Sequence, residues 1–293
     1  MLRAPQRLRE KPLSFGFMLK VSDLFIYPVK SLAGIPVSSA MVEERGFRFD
    51  RRWMLIDQDN SFMTQREFPG MALINVNMSL DGLEISDHQK DSSLLVPFSP
   101  ESHDQITVRI WEDFCLAQPV STEADQWFSD ILSFSCRLVC MPDESRRKVD
   151  LQYAIKDEIT SFADGYPFLM IGRSSLEDLN AKLEAPVEIN RFRPNIVFTG
   201  GEPYEEDGLE EFVINGINFF GVKLCARCMI TTINPNDATK GKEPLKTLSS
   251  YREKDGHVYF GQNLLHRGSG IISQGDSIEI KKRKLSVITS ISI

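Results

Sequence analysis

The 293-residue chain contains no apolar run approaching the roughly 18–20 residues that cross a bilayer as a helix. It has no excess of positive charge: the formal net charge is −7, which argues against broad nucleic-acid binding, a function that needs an electropositive surface. Its five cysteines, an odd number in so long a chain, do not read as a disulfide framework. A reducing cytoplasm is the expected compartment. The opening "MLRAPQRLREKPLSFGF" lacks the apolar core of a secretion signal, and Glu10 is out of place in a transit peptide. Residues 1–18 are therefore expected to be a frayed tail, or a start assigned too early with Met18 as the true beginning. No internal repeat and no low-complexity tract divides the sequence.

Hydrophobic residues make up 42% and charged residues 26%, the balance of a globular protein with a sizeable core. The length suits one large domain or two modest ones. From Leu19 onward the pattern is mostly β. "VSDLFIYPV" is β-branched and aromatic, and "RRWMLIDQDNSFMTQRE" reads as strand, turn at Asp57–Asn60, strand. "MALINVNMSL", "LEISD", "SLLVPF" and "QITVRIWEDFCLA" continue the rhythm. A helix is predicted at "TEADQWFSDIL", where Thr122 and Asp125 give a capping signal and Trp127, Phe128, Ile131 and Leu132 fall at helical spacing. A second is predicted at "SSLEDLNAKLE", with Ser174 and Glu177 as a capping box. The polar stretch "PDESRRKVDLQYAIKDE" marks a boundary. Strands return with "NIVFTG", "EFVINGINFFGVKL" around an Asn215–Gly216 hairpin turn, "MITTIN", "HVYFGQ" and "DSIEIKKR". The expected architecture is a β-rich α+β fold, two barrel- or sandwich-like units with a few flanking helices.

Cys225 and Cys228, three positions apart in "FGVKLCARCMITTIN", are the sharpest local feature. A structural zinc site needs four ligands, and the remaining cysteines and four histidines supply no second knuckle beyond a loose Cys136–Cys140 pair. A redox dithiol of the thioredoxin type opens a helix, whereas β-like segments flank this pair on both sides. In an extended segment positions i and i+3 point to opposite faces, so the two sulfurs meet only if the chain bulges. A packed thiol, a nucleophile with a distant base such as His257, and a single soft metal ligand all stay open on the residues alone.

Four segments in order resemble the MOSC-domain family. "CARCMITTINPNDATKGKEPLKTLSSYR" is similar to its molybdenum-cofactor signature. "LFIYPVKSLAGIPV" with "RGFRFDRRWMLID" resembles the β-barrel module that precedes it, and "FADGYPFLMIGRSSLEDLN" and "INRFRPNIVFTGGEPYEED" resemble the linking portion. Within that family the pattern resembles the mitochondrial amidoxime-reducing components and their bacterial counterparts. The resemblance covers about residues 19–280. It implies an N-terminal MOSC-type β-barrel domain over 19–142 and a C-terminal MOSC β-barrel domain over 143–293.

The resemblance also implies a molybdenum cofactor, Mo-molybdopterin, with Cys228 as the metal ligand and Cys225 as a packing partner. Lys30, Ser31, Arg51, Arg193, Asn195 and Arg227 match cofactor-binding positions, and guanidinium forks with hydroxyl donors suit a phosphate monoester and a polar pterin. Asp164 matches a position near the pocket, with a role in shuttling a proton or orienting substrate. The chain departs from the amidoxime-reducing pattern at Gly165–Tyr166, where that pattern has small hydroxyl residues, which bears on substrate preference. The implied reaction is oxygen-atom transfer to reduced molybdenum from an N-hydroxylated substrate, an amidoxime or hydroxylamine. No C-x4-C-x2-C run for an iron–sulfur cluster occurs in the sequence, so electrons are expected from a separate donor: a ferredoxin-like protein, a flavin reductase or a small haem protein. The alternative is a cofactor carrier, or a sulfur-carrier binding protein, without turnover. The basic run Lys281–Lys284 reads as a solvated strand end.

Overall fold

A computed structural model describes residues 18–284 except 88 and 102, so the expected tail over residues 1–17 lies outside the described residues. The architecture is β-rich with three α-helices among the described residues, Thr122–Leu132, Arg173–Asn180 and Leu245–Arg252. A nine-stranded sheet dominates. Its order runs Ile278–Arg283, Leu209–Ile214, Ile217–Ala226, His257–Arg267, Phe168–Gly172, Ile196–Thr199, Lys20–Ile26, Ile35–Val37, with Glu253–Lys254 paired alongside. Neighbours are antiparallel except Phe168–Gly172 and Ile196–Thr199, which run parallel.

This sheet closes on itself. Lys20 bridges Ser277, Ile278 N donates to Leu19 O at 2.8 Å, and Val21 exchanges backbone bonds with Gly275 and Asp276. The first strand of the described chain thus completes a barrel whose other strands, apart from the short Ile35–Val37, come from residues 168–283. Phe168, Phe212 and Phe219 fill the barrel with Leu24, Met170, Ile196, Ile214 and Leu264, all buried. Burial of each such side chain contributes about 1.5–3 kcal/mol. Asn215 and Gly216 take φ of 45° and 78°, the left-handed pair that a two-residue hairpin needs, as their sequence predicts.

Of the remaining strands of the first half, Ser39–Glu43 and Gly46–Phe47 join Gly270–Ser273 in a three-stranded sheet, and the others form a four-stranded sheet (Trp53–Ile56, Arg137–Cys140, Asp113–Pro119, Ile106–Ile110) and a second three-stranded one (Ile74–Met78, Gly82–Asp87, Ser92–Pro97). The last two sheets enclose a core around Trp53, Leu55, Met71, Ile85 and Phe128. The segment from 142 to 167 is almost free of regular structure.

Several local expectations need correction. Ser121, not Thr122, caps the first helix: its Oγ accepts from Ala124 N at 3.1 Å, while Asp125 turns away to accept from Leu138 N. Ser174 lies inside the second helix and donates to Gly201 O, so the capping box does not form. "MITT" is a 3₁₀ turn over Met229–Thr232, because the threonine hydroxyls bond back to Cys228 O and Met229 O and outcompete an extended ladder. The strand expected after Asn60 stops at Phe62, and Thr64–Phe68 is a tight turn closed by Glu67 N and Phe68 N on Thr64 O. The Leu245–Arg252 helix lies in a stretch for which sequence patterning predicts no helix. Lys281, Lys282 and Arg283 pair with Glu279, Glu210 and Glu205, and Lys284 Nζ donates to Gly221 O, in keeping with a strand end.

Candidate active site

Six chain segments converge on a cavity of about 300 Å³. All eight residues singled out from the sequence line it: Lys30, Ser31, Arg51, Asp164, Arg193, Asn195, Arg227 and Cys228. Three of them sit on left-handed backbone, Ser31 at φ 69°, Arg51 at 49° and Arg193 at 54°. Each such non-glycine residue costs on the order of 1 kcal/mol, and it persists only where surrounding contacts impose it.

The contacts are specific. Arg51 N donates to Tyr27 O, Phe162 N donates to Arg51 O, and the Arg51 guanidinium grips the buried Asp50 at 2.7 and 2.9 Å. Arg193, at the end of a 3₁₀ turn over Ile189–Phe192, donates to Leu32 O at 2.7 Å. Both guanidinium carbons lie against the buried Tyr27 ring, 4.2 and 4.3 Å from its centre. Burial pushes the Tyr27 hydroxyl up to about 12 despite these cations, and burial together with Arg51 draws Arg193 down to about 10. Gly34 makes this packing feasible, since a Cβ there would stand 2.3 Å from the Tyr27 ring.

On the opposite wall Lys30, itself 5% exposed, donates to Phe162 O at 2.8 Å and to Asp164 Oδ1 at 2.6 Å. Burial lowers Lys30 to about 8 against the pull of Asp164. Enclosure works against charge on Asp164, but the Lys30 ammonium prevails and holds its carboxyl well below the usual carboxylate range. The Asp164 side chain remains two-thirds exposed toward the opening. Arg147, buried, fixes this loop by donating to the carbonyls of Ser161, Ala163 and Asp164 while pairing with Asp113 at 2.8 Å.

Asn195 is largely occupied with structure. Its Oδ1 accepts from Leu169 N and Arg51 Nη1 and its Nδ2 donates to Phe25 O, joining three strands at the cavity floor. Arg227 donates to Phe260 O at 2.8 Å and Phe192 O at 3.1 Å, yet its Nη2 is buried without a hydrogen-bond partner among the described residues.

The expected separation of the cysteines does not hold: Cys225 lines the same cavity as Cys228. The strand register slips between Leu224 and Ala226, a bulge that turns Cys225 toward the opening, and the strand ends at Ala226. Cys225 still packs against the cluster of Leu169, Phe192 and Phe260, and enclosure pushes its thiol up. Cys228 Sγ receives a hydrogen bond from Arg66 Nη2 at 3.1 Å. Sequence reasoning missed Arg66, whose segment reads as a strand, and Tyr27, Arg147, Arg191 and Lys223. Of these, Tyr27 and Arg191 stand inside the "YPVKS" and "NRFRPN" motifs beside residues that were found.

Comparison with known proteins adds an independent line. Residues 18–135 match the family model of the MOSC N-terminal beta barrel domain, and residues 157–279 match that of the MOSC domain. The chain is 34% identical to mitochondrial amidoxime-reducing component 1 of Mus musculus, over 94% of this chain and 85% of that protein. It is 34% identical to the Homo sapiens protein of the same name, over 88% and 82%. It is also 29% identical to molybdenum cofactor sulfurase of Oryza sativa subsp. japonica, over 92% of this chain but 35% of that protein.

Proposed function

Because the chain belongs to the MOSC-domain family, with both the N-terminal beta barrel domain and the MOSC domain, we propose that it binds a molybdenum cofactor and reduces N-hydroxylated compounds such as amidoximes and hydroxylamines. One observation carries the reading: a soft thiol, Cys228, faces a cavity lined by six cations and a single carboxylate among the described residues. Lys30, Arg51, Arg191, Arg193, Lys223 and Arg227 leave a positive excess that an anionic, phosphate-bearing chelate neutralises. The unpartnered Arg227 Nη2 is a donor awaiting an acceptor. On these grounds the residues fit the group.

Cys228 would hold the metal, Lys30, Ser31, Arg51 and Arg193 the phosphate side, and Arg227 the pterin body. Asn195 positions Arg51 at the cavity. When bound, the cofactor supplies an acceptor for the substrate oxygen. The chain's own residues position the substrate. Asp164, ionised and open to the cavity, would orient the substrate N–H groups, and Lys30 holds that carboxylate in place. Tyr166 lines the same opening with its hydroxyl buried and unpartnered, which narrows the space beside Asp164.

Electrons come, in this reading, from a separate ferredoxin-like, flavin or small haem protein. The five free cysteines are what a reducing compartment maintains, and cytoplasm is the proposed location. No helix among the described residues is long and apolar enough to cross a membrane.

The test is chemical. Protein from a cofactor-producing host is assayed for molybdenum and pterin, then for conversion of benzamidoxime to benzamidine with a chemical reductant. Stoichiometric molybdenum with turnover is expected. Molybdenum without turnover favours the carrier reading, and the absence of both metal and pterin overturns the proposal.

A further inference from the structure

The cavity offers two thiols, and nothing described so far explains why one of them should take the ligand role. We propose that Arg66 makes that choice: it is a positioning residue that presents Cys228 Sγ to the cavity, and Trp111 is the shelf that holds it there. The inference rests on the proposed role of Cys228 as ligand.

Arg66 reaches Cys228 from the other half of the chain, 162 positions away, with Nη2 3.1 Å from the sulfur. Its guanidinium lies over the Trp111 ring at 4.5 Å, and Trp111 is braced edge-on by Phe62 at 4.8 Å. Trp111 sits at the tip of the Ile106–Ile110/Asp113–Pro119 hairpin with φ 56°, a left-handed position that a bulky residue rarely adopts. The Arg66 backbone is clamped as well. Its N–H donates to Thr64 Oγ1 at 2.9 Å, its carbonyl accepts from Lys240 Nζ at 3.0 Å, and the preceding Gln65 donates to Ser31 O at 2.6 Å. Stem, backbone and head are thus all fixed, so the charge is delivered to one point.

The cations lining the cavity spend their hydrogen bonds differently. Lys30 has Asp164, Arg51 has Asp50, and Arg193 and Arg227 have backbone carbonyls. Arg66 makes no salt bridge to a carboxylate among the described residues, and the side-chain acceptor it meets is the Cys228 sulfur. No side chain among the described residues donates a hydrogen bond to Cys225, whose thiol instead donates to the carbonyl of Ala226 at 3.9 Å. A guanidinium fixed on one sulfur, with no side-chain donor on the other, holds the first in one orientation at the cavity.

The experiment reads the choice directly, without the cofactor. Cofactor-free protein is exposed briefly to iodoacetamide at neutral pH, and modification of Cys225 and Cys228 is quantified by peptide mass spectrometry. In the native chain Cys228 reacts in preference to Cys225. Arg66→Met lowers the Cys228:Cys225 ratio by roughly tenfold, the size of one lost charge-assisted hydrogen bond. Arg66→Lys, which keeps the charge without the planar fork, retains part of the preference, and Trp111→Leu gives an intermediate loss with Arg66 intact. Should Arg66→Met not fold, Trp111→Leu carries the test. A ratio unmoved by these changes, or no preference in the native chain, overturns the proposal. The two readings fail separately: a ratio that depends on Arg66 in a protein carrying no molybdenum sinks the cofactor assignment alone, and a molybdenum-loaded protein with an indifferent ratio sinks the selector alone.

Discussion

The cavity and the barrel interior share a wall at Phe168, yet they treat charge in opposite ways. On the interior side His266 lies edge-on to Phe168 at 5.2 Å and near Phe219 at 6.2 Å, and burial lowers its pKa to about 4, so it is neutral. On the cavity side six cations crowd around one carboxylate, and three site residues accept left-handed backbone. A region selected for stability avoids charge and strain; a region that binds an anion collects both. The lesson is that departures from good packing locate the chemistry better than any single residue type does.

The contrast can be broken most severely at Cys228. Cys228→Ser is expected to cut reductase turnover by at least about 10³-fold and to empty the site of molybdenum, with the melting temperature little changed. Cys225→Ser should cost about 1 kcal/mol of stability and keep most of the turnover. Parallel metal analysis, kinetics and calorimetry check the pair, and the reverse pattern would mean the ligand assignment is inverted. Phe219→Ala attacks the other side. It should destabilise the fold by about 3–5 kcal/mol, read as a lower denaturant midpoint, while the molybdenum content of the folded fraction holds.

Acid sharpens the comparison further. The folded pKa of His266, about 4, lies below the ordinary value of 6.5, so the unfolded chain takes up that proton first. Its contribution is complete above pH 6.5 and is lost as pH falls toward 4, by roughly 3 kcal/mol, a slope that His266→Leu should flatten. The smallest effect is expected at alkaline pH. Lys30, at about 8, sheds its proton there, so the affinity of cofactor-free protein for inorganic phosphate should fall by up to about tenfold per pH unit above 8. Calorimetric titration across that range checks it, and Lys30→Met should remove the dependence.

Much of this site is legible in the sequence because its residues lie in short, ordered motifs. "YPVKS", "DRRW", "FRPN" and "ARC" each place a donor at the end of a strand or turn, and the fold gathers those ends. What was not legible depends on tertiary neighbours. Arg66 occupies a segment that looks like a strand and acts on a partner far along the chain. The Cys225 bulge shows only once the register with His257–Arg267 is known. The threonines after Cys228 have high β propensity, yet their hydroxyls close a local turn instead. Helix caps shifted by one and two residues for the same reason: Asp125 and Ser174 found better partners outside their own helices.

The bond between Leu19 and Ile278 bears on how this protein emerges from a ribosome. One edge of the Lys20–Ile26 strand pairs early with Ile35–Val37, but its other edge and its start must wait until Ile196–Thr199 and the Gly275–Ile278 segment have been translated. A nascent chain of this kind spends its synthesis with an exposed, adhesive edge. Slowing elongation just after the first half should therefore raise the demand for chaperones more than slowing it at the end.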